Sequence, residues 1–251
     1  MKSQPIKNID AIKRFYNDPK EVETYLKKRI AAPFNSVLHQ QQVNYVRRAI
    51  VRLNPQRVLD LAPGPARLSA ELSLPGLGVA MDASLNMLAE GRERIAAYGN
   101  SWELTSGNGY QLPFASRTFD LIYSLRFIRR FERSSRNLLY SEITRVLKPG
   151  GSFIMDAQNR LVALPHRTAR GLEKYPVYDE LFLRHELITE LEENGFRVDH
   201  VEGMMRRFSM QFRLNRLRHL RLSRLARLLI RALEYTPDQN PSTWMVLCTR
   251  K

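Results

Sequence analysis

Two aspartates that accompany short apolar runs are the first candidates for chemistry in this chain. The apolar run 58–61 includes Asp60, and the run 77–81 ends at Asp82. Runs of this length and composition predict buried parallel strands. Asp82 follows Asp60 by 22 residues, close to the spacing of about 20 residues at which an acid accepts hydrogen bonds from ribose hydroxyls in nucleotide-binding folds. The pair therefore predicts a strand–turn–helix site for a ligand that contains a nucleoside.

The turn after Asp60 argues against a dinucleotide. A dinucleotide-binding turn has the pattern G-x-G-x-x-G, in which helix N–H groups bind the pyrophosphate. Here Pro65 removes one of those N–H groups, and Ala66 and Ser69 do not complete the glycine pattern. An acid at the strand end would repel a pyrophosphate but attract a cationic amino group. S-adenosylmethionine meets this requirement, because it carries a sulfonium and an ammonium group and no phosphate.

The same stretch resembles the first motif of class I S-adenosylmethionine-dependent methyltransferases, specifically the methyltransferase type 11 or UbiE-like group. That motif reads acidic-x-Gly-x-Gly-x-Gly, and this chain reads Asp60-x-Ala62-x-Gly64-x-Ala66. Alanine therefore replaces two of the three glycines. Each replacement adds a Cβ where the backbone and the ligand approach closely, so the chain departs from the family pattern at these two positions.

Three further motifs follow in the family's order, so that the resemblance spans about residues 55–160. Residues 82–88 resemble the second motif, in which the acid binds the ribose and Met87 lies near the adenine. Residues 106–114 resemble the segment whose acid accepts from the adenine amino group. Asn108 stands in place of that acid, and its amide oxygen can still accept. The fourth motif is the Leu-Lys-Pro-Gly-Gly turn before the fifth strand.

The resemblance implies a set of cofactor-binding residues drawn from the N-terminal segment, the motifs and the end of the fourth strand. They are Tyr25, Arg29, Asp60, Ala62, Gly64, Ala66, Asp82, Ala83, Met87, Asn108, Gly109 and Ser124. The resemblance places Tyr25 and Arg29 near the methionine carboxylate. An ordinary position on a helix face is the alternative for these two residues.

The fold expected from this pattern is α/β. It is a Rossmann-like seven-stranded mixed sheet with an antiparallel last strand and helices on both faces. Residues 1–53 are expected to form an N-terminal helical cap, and residues 54–251 the methyltransferase domain. Within that domain, residues 160–182 are expected to form a lid and residues 203–235 a basic helical insertion before the last strand.

The basic insertion is the most unusual part of the sequence. Residues 203–230 contain eight arginines and no acid, and leucines recur with a period close to 3.6. Most of the arginines occupy the arc beside the leucines, although Arg218 and Arg221 intrude on the apolar arc. The pattern predicts a basic amphipathic helix that binds an anionic membrane surface or a polyanion. The alternative is a helix packed on the domain with solvated arginines.

No residue stands out as a catalytic base, and the candidates are His166, Tyr178 and Arg126. Arg126 and its neighbours Arg129 and Arg130 would either bind a carboxylate or phosphate of the substrate or form a solvated helix face. The sequence Ser-Leu-Arg-Phe at 124–127 replaces the Asn/Asp-Pro-Pro-Tyr that amino-methylating enzymes of the family carry there. It therefore disfavours methylation of the amino groups of nucleic-acid bases.

Composition limits the remaining choices. The 251 residues carry a formal net charge of +15, which predicts attraction to something anionic. Cys248 is the only cysteine, so neither a disulfide nor a metal site is expected. The first residues lack the apolar core of a signal peptide. The expected location is therefore cytoplasmic, with peripheral membrane association as an option.

The function expected from the sequence is S-adenosylmethionine-dependent methyl transfer to an oxygen or carbon of a small or lipid-like, anionic acceptor. Two alternatives stay open. One is an RNA-directed methyltransferase, and the other is a non-catalytic adaptor of the same fold that binds nucleic acid or membrane. The sequence does not indicate an oligomeric state.

Overall fold

The computed structural model describes residues 5–251, apart from the side chains of residues 27–29. A mixed sheet of eight strands lies at its centre. The strands are β1 (Arg57–Leu61), β2 (Leu77–Asp82), β3 (Glu103–Ser106), β4 (Phe119–Ser124), β5 (Leu147–Asn159), β6 (Leu181–Phe182), β7 (Phe196–Met204) and β8 (Thr243–Arg250). Their order is β3-β2-β1-β4-β5-β8-β7, and β6 pairs with the end of β5.

Strands β1 to β5 are parallel to one another, whereas β8 runs antiparallel to both β5 and β7. The predicted Rossmann-like mixed sheet with an antiparallel last strand is therefore confirmed. The two-residue strand β6 is an addition that the sequence did not predict.

Helices cover both faces of the sheet. The α-helices of the described residues are α1 (Ile9–Asn17), α2 (Pro19–Ile30), α3 (Pro33–Leu53), α4 (Leu85–Ala97), α5 (Arg133–Val146), α6 (Arg160–Arg170), α7 (Arg184–Glu193), α8 (Phe208–Leu214) and α9 (Ser223–Leu233). Leu59 and Leu61 join a buried cluster with residues of α5 and α7, while Val58 joins a second cluster with residues of α3, α4 and α9. Since successive strand residues point to opposite faces, burial on both sides explains the apolar run of β1.

The segment after β1 forms a 3₁₀ turn at Ser69–Glu71 rather than the predicted α-helix. Pro75 follows closely. Its ring restricts Leu74 to extended conformations. Because β2 begins at Leu77, no room remains for several helical turns.

The basic insertion predicted at residues 203–235 is helical in separate pieces. Strand β7 extends to Met204, and a 3₁₀ segment (Asn215–Leu220) lies between α8 and α9. Arg221, which follows the 3₁₀ segment, has a φ of +59°. An α-helix cannot contain this left-handed conformation. The amphipathic helix that the leucine spacing predicts is therefore interrupted at this residue.

The N-terminal helices and the basic insertion pack against each other. Phe34 of α3 makes edge-to-face contacts with Phe208 and Phe212 of α8, with ring centroids 5.5 and 5.9 Å apart. The Nε2 of Gln41 donates to Oε2 of Glu234 at 2.7 Å. These contacts pack the N-terminal helix α3 against the basic insertion, although the two segments are far apart in the chain.

Candidate functional site

A crevice opens at the carboxyl ends of β1 and β2 and is covered by α1. Leu61 and Asp82, the last residues of these strands, contribute to its wall, as do Tyr25 of α2 and the loop after β3. The cavity has a volume of about 250 Å³. Ligands of open parallel sheets bind outside the carboxyl ends of the strands, so this crevice is the first candidate for a cofactor site.

Asp82 connects the two turns that flank the crevice. Its Oδ2 accepts from the backbone N–H of Gly64 at 2.9 Å, and its Oδ1 accepts from the backbone N–H of Ser84 at 2.9 Å. Burial raises the pKa of Asp82, and the backbone N–H groups of Ser84 and Gly64 oppose that shift. Each carboxylate oxygen retains further acceptor capacity. The position is therefore suited to a ligand with two neighbouring hydroxyl groups.

Asp60, for which the sequence predicts a role in cofactor binding, is not among the residues that line this crevice. Its side chain points to the opposite face of β1 from Leu61, and the residue is only 3% exposed. Its Oδ2 accepts from the hydroxyl of Ser69 at 2.5 Å. Burial raises the pKa of Asp60 to about 7, and the hydrogen bond from Ser69 opposes the rise. Of the two predicted carboxylates, Asp82 lies in the crevice, whereas Asp60 lies in the interior, near enough that the charge of Asp82 also raises its pKa.

The turn after β1 keeps the backbone of the family motif despite its two alanines. Ala62, Gly64 and Ala66 have φ values of +61°, +59° and +50°. This left-handed region favours glycine. A Cβ added at Gly64 would find no atom closer than 3.9 Å, so the backbone there faces open space. The turn thus has the shape and the clearance that a closely approaching ligand needs.

Most of the predicted cofactor residues line the crevice. They are Tyr25, Ala62, Gly64, Asp82, Ala83, Met87, Asn108 and Gly109. Asp60, Ala66 and Ser124 are not among the lining residues. Ser124 instead donates from its hydroxyl to the carbonyl of Leu61 at 2.8 Å and ties β4 to β1. The side chain of Arg29 lies outside the described residues.

Helix α1, which belongs to the segment that the sequence predicts as an N-terminal cap, covers the crevice. Lys13 and Tyr16 of this helix line the cavity. Asn17 accepts from Ser84 Oγ at its Oδ1 (2.9 Å) and from Asn86 Nδ2 at its carbonyl (3.0 Å). These partners are 67 and 69 residues away in the chain. The resemblance predicted a cap at this position, but the sequence did not identify the residues through which α1 contacts the crevice.

A second cavity of about 270 Å³ adjoins the crevice. The two cavities share Tyr16, Arg126 and Arg130 in their linings. Arg126 has a φ of +64°, and its backbone N–H donates to Oδ1 of the buried Asp156 at 2.5 Å. This strained residue therefore stands at the junction of the two cavities.

Aromatic rings form one wall of the second cavity. The ring of His166 lies edge-on to those of Phe208 and Phe212, with centroids 4.8 and 4.6 Å apart. Burial lowers the pKa of His166, and the nearby Arg170 and Arg167 lower it further, so the imidazole is neutral at pH 7.

Tyr178, another of the predicted candidates, lies outside the linings of both cavities. Its hydroxyl donates to Oε2 of Glu180 at 2.7 Å. Its backbone N–H also donates to the carbonyl of Ile6 at 3.0 Å, so Tyr178 takes part in packing outside both cavities.

Arg129 and Arg130 are buried, so the solvated helix face is ruled out for them. Together with Arg167 they surround the carboxylate of Asp179, whose side chain is 3% exposed. Burial alone would raise the pKa of Asp179, but the guanidinium groups of Arg129, Arg130 and Arg167 lower it to about 2. This cluster joins residues 160–182, which include Arg167 and Asp179, to the segment that follows β4.

Comparison with known proteins agrees with the geometry of the crevice. Residues 58–151 match the family model described as a methyltransferase domain. Residues 58–151 therefore form a methyltransferase domain. The chain is 35% identical over 159 residues to demethylmenaquinone methyltransferase of Streptomyces griseus, an alignment that covers 60% of this chain and 61% of that one. The chain is also 32% identical over 110 residues to malonyl-[acyl-carrier protein] O-methyltransferase of Legionella pneumophila, in an alignment that covers 43% of this chain and 38% of that one. Both alignments span less than two thirds of the relative's length.

Solved methyltransferase structures share the fold at low sequence identity. Magnesium protoporphyrin IX methyltransferase from Synechocystis, crystallised with bound SAH, superposes with a TM-score of 0.66 at 16% identity, over 97% of this chain and 100% of that one. The [4+2]-cyclase SpnF superposes with a TM-score of 0.61 at 17% identity, over 84% and 80%. The predicted family and fold are confirmed, and S-adenosylmethionine is the cofactor that this family uses. Because one relative of the same fold is a cyclase, the fold alone does not decide the reaction.

Proposed function

We propose that this protein is an S-adenosylmethionine-dependent methyltransferase in which Asp82 and the turn at Gly64 bind the cofactor. The observation that carries the proposal is the crevice, where a buried carboxylate lies beside a left-handed turn whose backbone faces open space. Asp82 would accept hydrogen bonds from the ribose hydroxyls. When bound, the cofactor supplies a sulfonium methyl group that an acceptor nucleophile displaces in line.

We propose that the acceptor binds in the second cavity. Its lining includes Arg126, Arg130, Arg167 and Lys174 and, among the described residues, one carboxylate, Asp179. Basic side chains beside an aromatic wall favour an acceptor with an apolar or planar body and an anionic group. The names of the two relatives, a demethylmenaquinone and a malonyl-carrier methyltransferase, support a lipid-like or acyl acceptor. The target atom would then be an oxygen or a carbon.

Two of the predicted candidates have roles in this proposal. Arg126 would orient the anionic group of the acceptor, because it stands where the two cavities meet. His166 would accept a proton from acceptors that need deprotonation, because its ring lines the second cavity and is neutral at pH 7. Tyr178 has no role in it.

The cofactor proposal is tested by a matched pair of carboxylate variants. Asp82→Asn should weaken the binding of S-adenosylmethionine by about 10- to 100-fold in isothermal titration calorimetry, because it removes a charged acceptor. Asp60→Asn should change the dissociation constant by less than about threefold, because Asp60 lies outside the crevice. Equal losses in both variants, or no loss in either, would contradict the proposed site.

The acceptor proposal is tested with two arginines that share a backbone conformation. Arg126 and Arg117 have φ values of +64° and +60°, but Arg117 is exposed and lines neither cavity. Transfer of labelled methyl groups would be measured on a panel of aromatic carboxylates and isoprenoid phenols. Arg126→Gln should raise KM for the anionic acceptors by about tenfold or more, whereas Arg117→Gln should leave it unchanged. An unchanged KM in Arg126→Gln for every accepted anion would exclude the proposed role.

The alternative function is a protein of the same fold directed at a polyanion. It is favoured by the net charge of +15 and by the arginines of the basic insertion. An RNA-directed methyltransferase would transfer labelled methyl groups to RNA. A non-catalytic adaptor would bind RNA with a steep salt dependence, but would not bind S-adenosylmethionine at high micromolar concentration. The main proposal instead includes a cytoplasmic location at the periphery of a membrane, where a lipid-like acceptor would be found.

A further inference from the structure

Exposed apolar side chains are concentrated on the basic insertion. Seven of the sixteen large hydrophobic residues that are exposed in the described chain lie between residues 210 and 235. They are Met210, Leu220, Leu222, Leu225, Leu228, Leu229 and Tyr235. Scattered exposed leucines are normal in proteins, but a contiguous exposed group marks a contact surface.

Helix α9 has two apolar faces, of which packing on the domain uses one. Ala226 and Ile230 are fully buried, and Ile230 joins the cluster formed with α3. Leu225, Leu228 and Leu229 lie on the adjacent arc and are 43%, 64% and 39% exposed. A helix that only covered the sheet would need only the buried stripe that contains Ala226 and Ile230. These three leucines form a second apolar stripe, which stays exposed when α9 packs on the domain.

Exposed arginines flank the second stripe. Arg218, Arg221, Arg224 and Arg231 are exposed. Within residues 5–251, no carboxylate lies within 4.0 Å of their guanidinium groups. Crowded cations of one sign repel each other, and an anionic surface relieves that repulsion.

The side chains between these arginines indicate which anionic surface fits. Leucine gains free energy by entering hydrocarbon but does not stack on nucleic-acid bases, for which aromatic side chains are suited. Tyr235, 90% exposed just after α9, is of the type enriched at the membrane–water boundary. No helix of the described chain is both long and apolar enough to cross a bilayer. The pattern therefore fits a helix that lies in the plane of a membrane surface.

A basic groove links this surface to the second cavity. The groove, about 390 Å³ in volume, is lined by Arg216, Arg218 and His219 of the 3₁₀ segment, and it shares Asn35 and Phe212 with the second cavity. An acceptor leaving a membrane beside α9 would thus enter next to the cavity in which it is proposed to react.

We propose that the 3₁₀ segment and α9 dock on an anionic lipid bilayer, with Leu225, Leu228 and Leu229 inserted at the surface, and that a lipid-like acceptor passes through the basic groove. The inference rests on the proposed function for the acceptor's route. The docking itself is independent of it, because it needs neither cofactor nor acceptor.

The test is vesicle flotation of the full chain. Vesicles of phosphatidylcholine alone would be compared with vesicles that contain about 30% phosphatidylglycerol, enough to give the surface a negative potential. The wild type should float with the anionic vesicles and less so as salt is raised. Leu225→Asn/Leu228→Asn and, separately, Arg221→Gln/Arg224→Gln should each lower the partition coefficient about tenfold.

The matched control is Leu138→Asn on α5, which is 60% exposed outside the insertion and should change partitioning by less than about twofold. Equal flotation with neutral and anionic vesicles would overturn the proposal. So would a loss in the arginine variant with none in the leucine variant, especially if RNA displaces the protein from vesicles, because a polyanion would then be the partner. Calorimetric binding of S-adenosylmethionine should be unchanged in the leucine variant, which keeps failure of docking separate from failure of the proposed function.

Discussion

Replacement of Ala62 by glycine should stabilise the protein. Its φ of +61° lies in the left-handed region, where a Cβ costs about 1–2 kcal/mol. Glycine removes that strain, but its greater freedom in the unfolded chain costs about 0.5–1 kcal/mol. The residue lines the open crevice, so its methyl group contributes little packing. We expect a net gain of about 0.5–1 kcal/mol, which for a chain of this length raises Tm by about 1–4 °C.

Ala66 is the matched comparison because the same strain is offset by packing. Its φ is +50°, and its side chain is fully buried against Gly91. Ala66→Gly loses a buried methyl worth about 0.8 kcal/mol and leaves a small void, so its Tm should stay within about 1 °C of the wild type or fall. Gly64→Ala adds a Cβ at a residue whose φ is +59°, so it introduces strain and should lower Tm.

The assay is differential scanning calorimetry of the four proteins without cofactor, at one pH and one protein concentration. The expected order of Tm is Ala62→Gly above wild type, Ala66→Gly near or below it, and Gly64→Ala lowest. A lower Tm for Ala62→Gly, or a larger rise for Ala66→Gly than for Ala62→Gly, would refute the argument from backbone strain.

Two buried carboxylates make opposite predictions for stability against pH. The pKa of Asp60 is raised to about 7 in the folded state, so the folded protein binds this proton more tightly than the unfolded chain, and the free energy of unfolding should fall as pH rises from about 4 to 7. Asp60→Asn should lessen that decline in urea titrations at pH 5 and pH 8, and an unchanged slope would contradict the assignment. The pKa of Asp179 is lowered to about 2, so its contribution is present above about pH 4 and is lost as pH falls towards 2. Asp179→Asn should destabilise the protein by about 3 kcal/mol at pH 7, because three buried or half-buried guanidinium groups lose a shared carboxylate. This difference should shrink at pH 3, and a constant difference would show that the charge is not responsible.

The features that sequence reasoning predicted correctly depend on local patterns. The apolar runs of β1 and β2 bury both faces of a parallel strand, and such runs are readable residue by residue. The acid at the end of β2 and the small residues after β1 are likewise local features. The sequence therefore predicted Asp82 and Gly64 as neighbouring site residues, and both line the crevice. The left-handed conformations at Ala62 and Ala66 follow from the family turn even without glycine.

What the sequence determined by itself is therefore the class of fold, the position of the crevice at the ends of β1 and β2, and the basic, leucine-rich character of the insertion. Only the tertiary structure decided that Asp60 is buried against Ser69 outside the crevice, that Arg129 and Arg130 pair with Asp179, and that the insertion breaks at Arg221. The physical reason is range. A strand or a turn is specified by neighbours in sequence. The partners of a buried charge depend on how the whole chain packs, and Arg129, for example, pairs with Asp179, which lies 50 residues further along the chain.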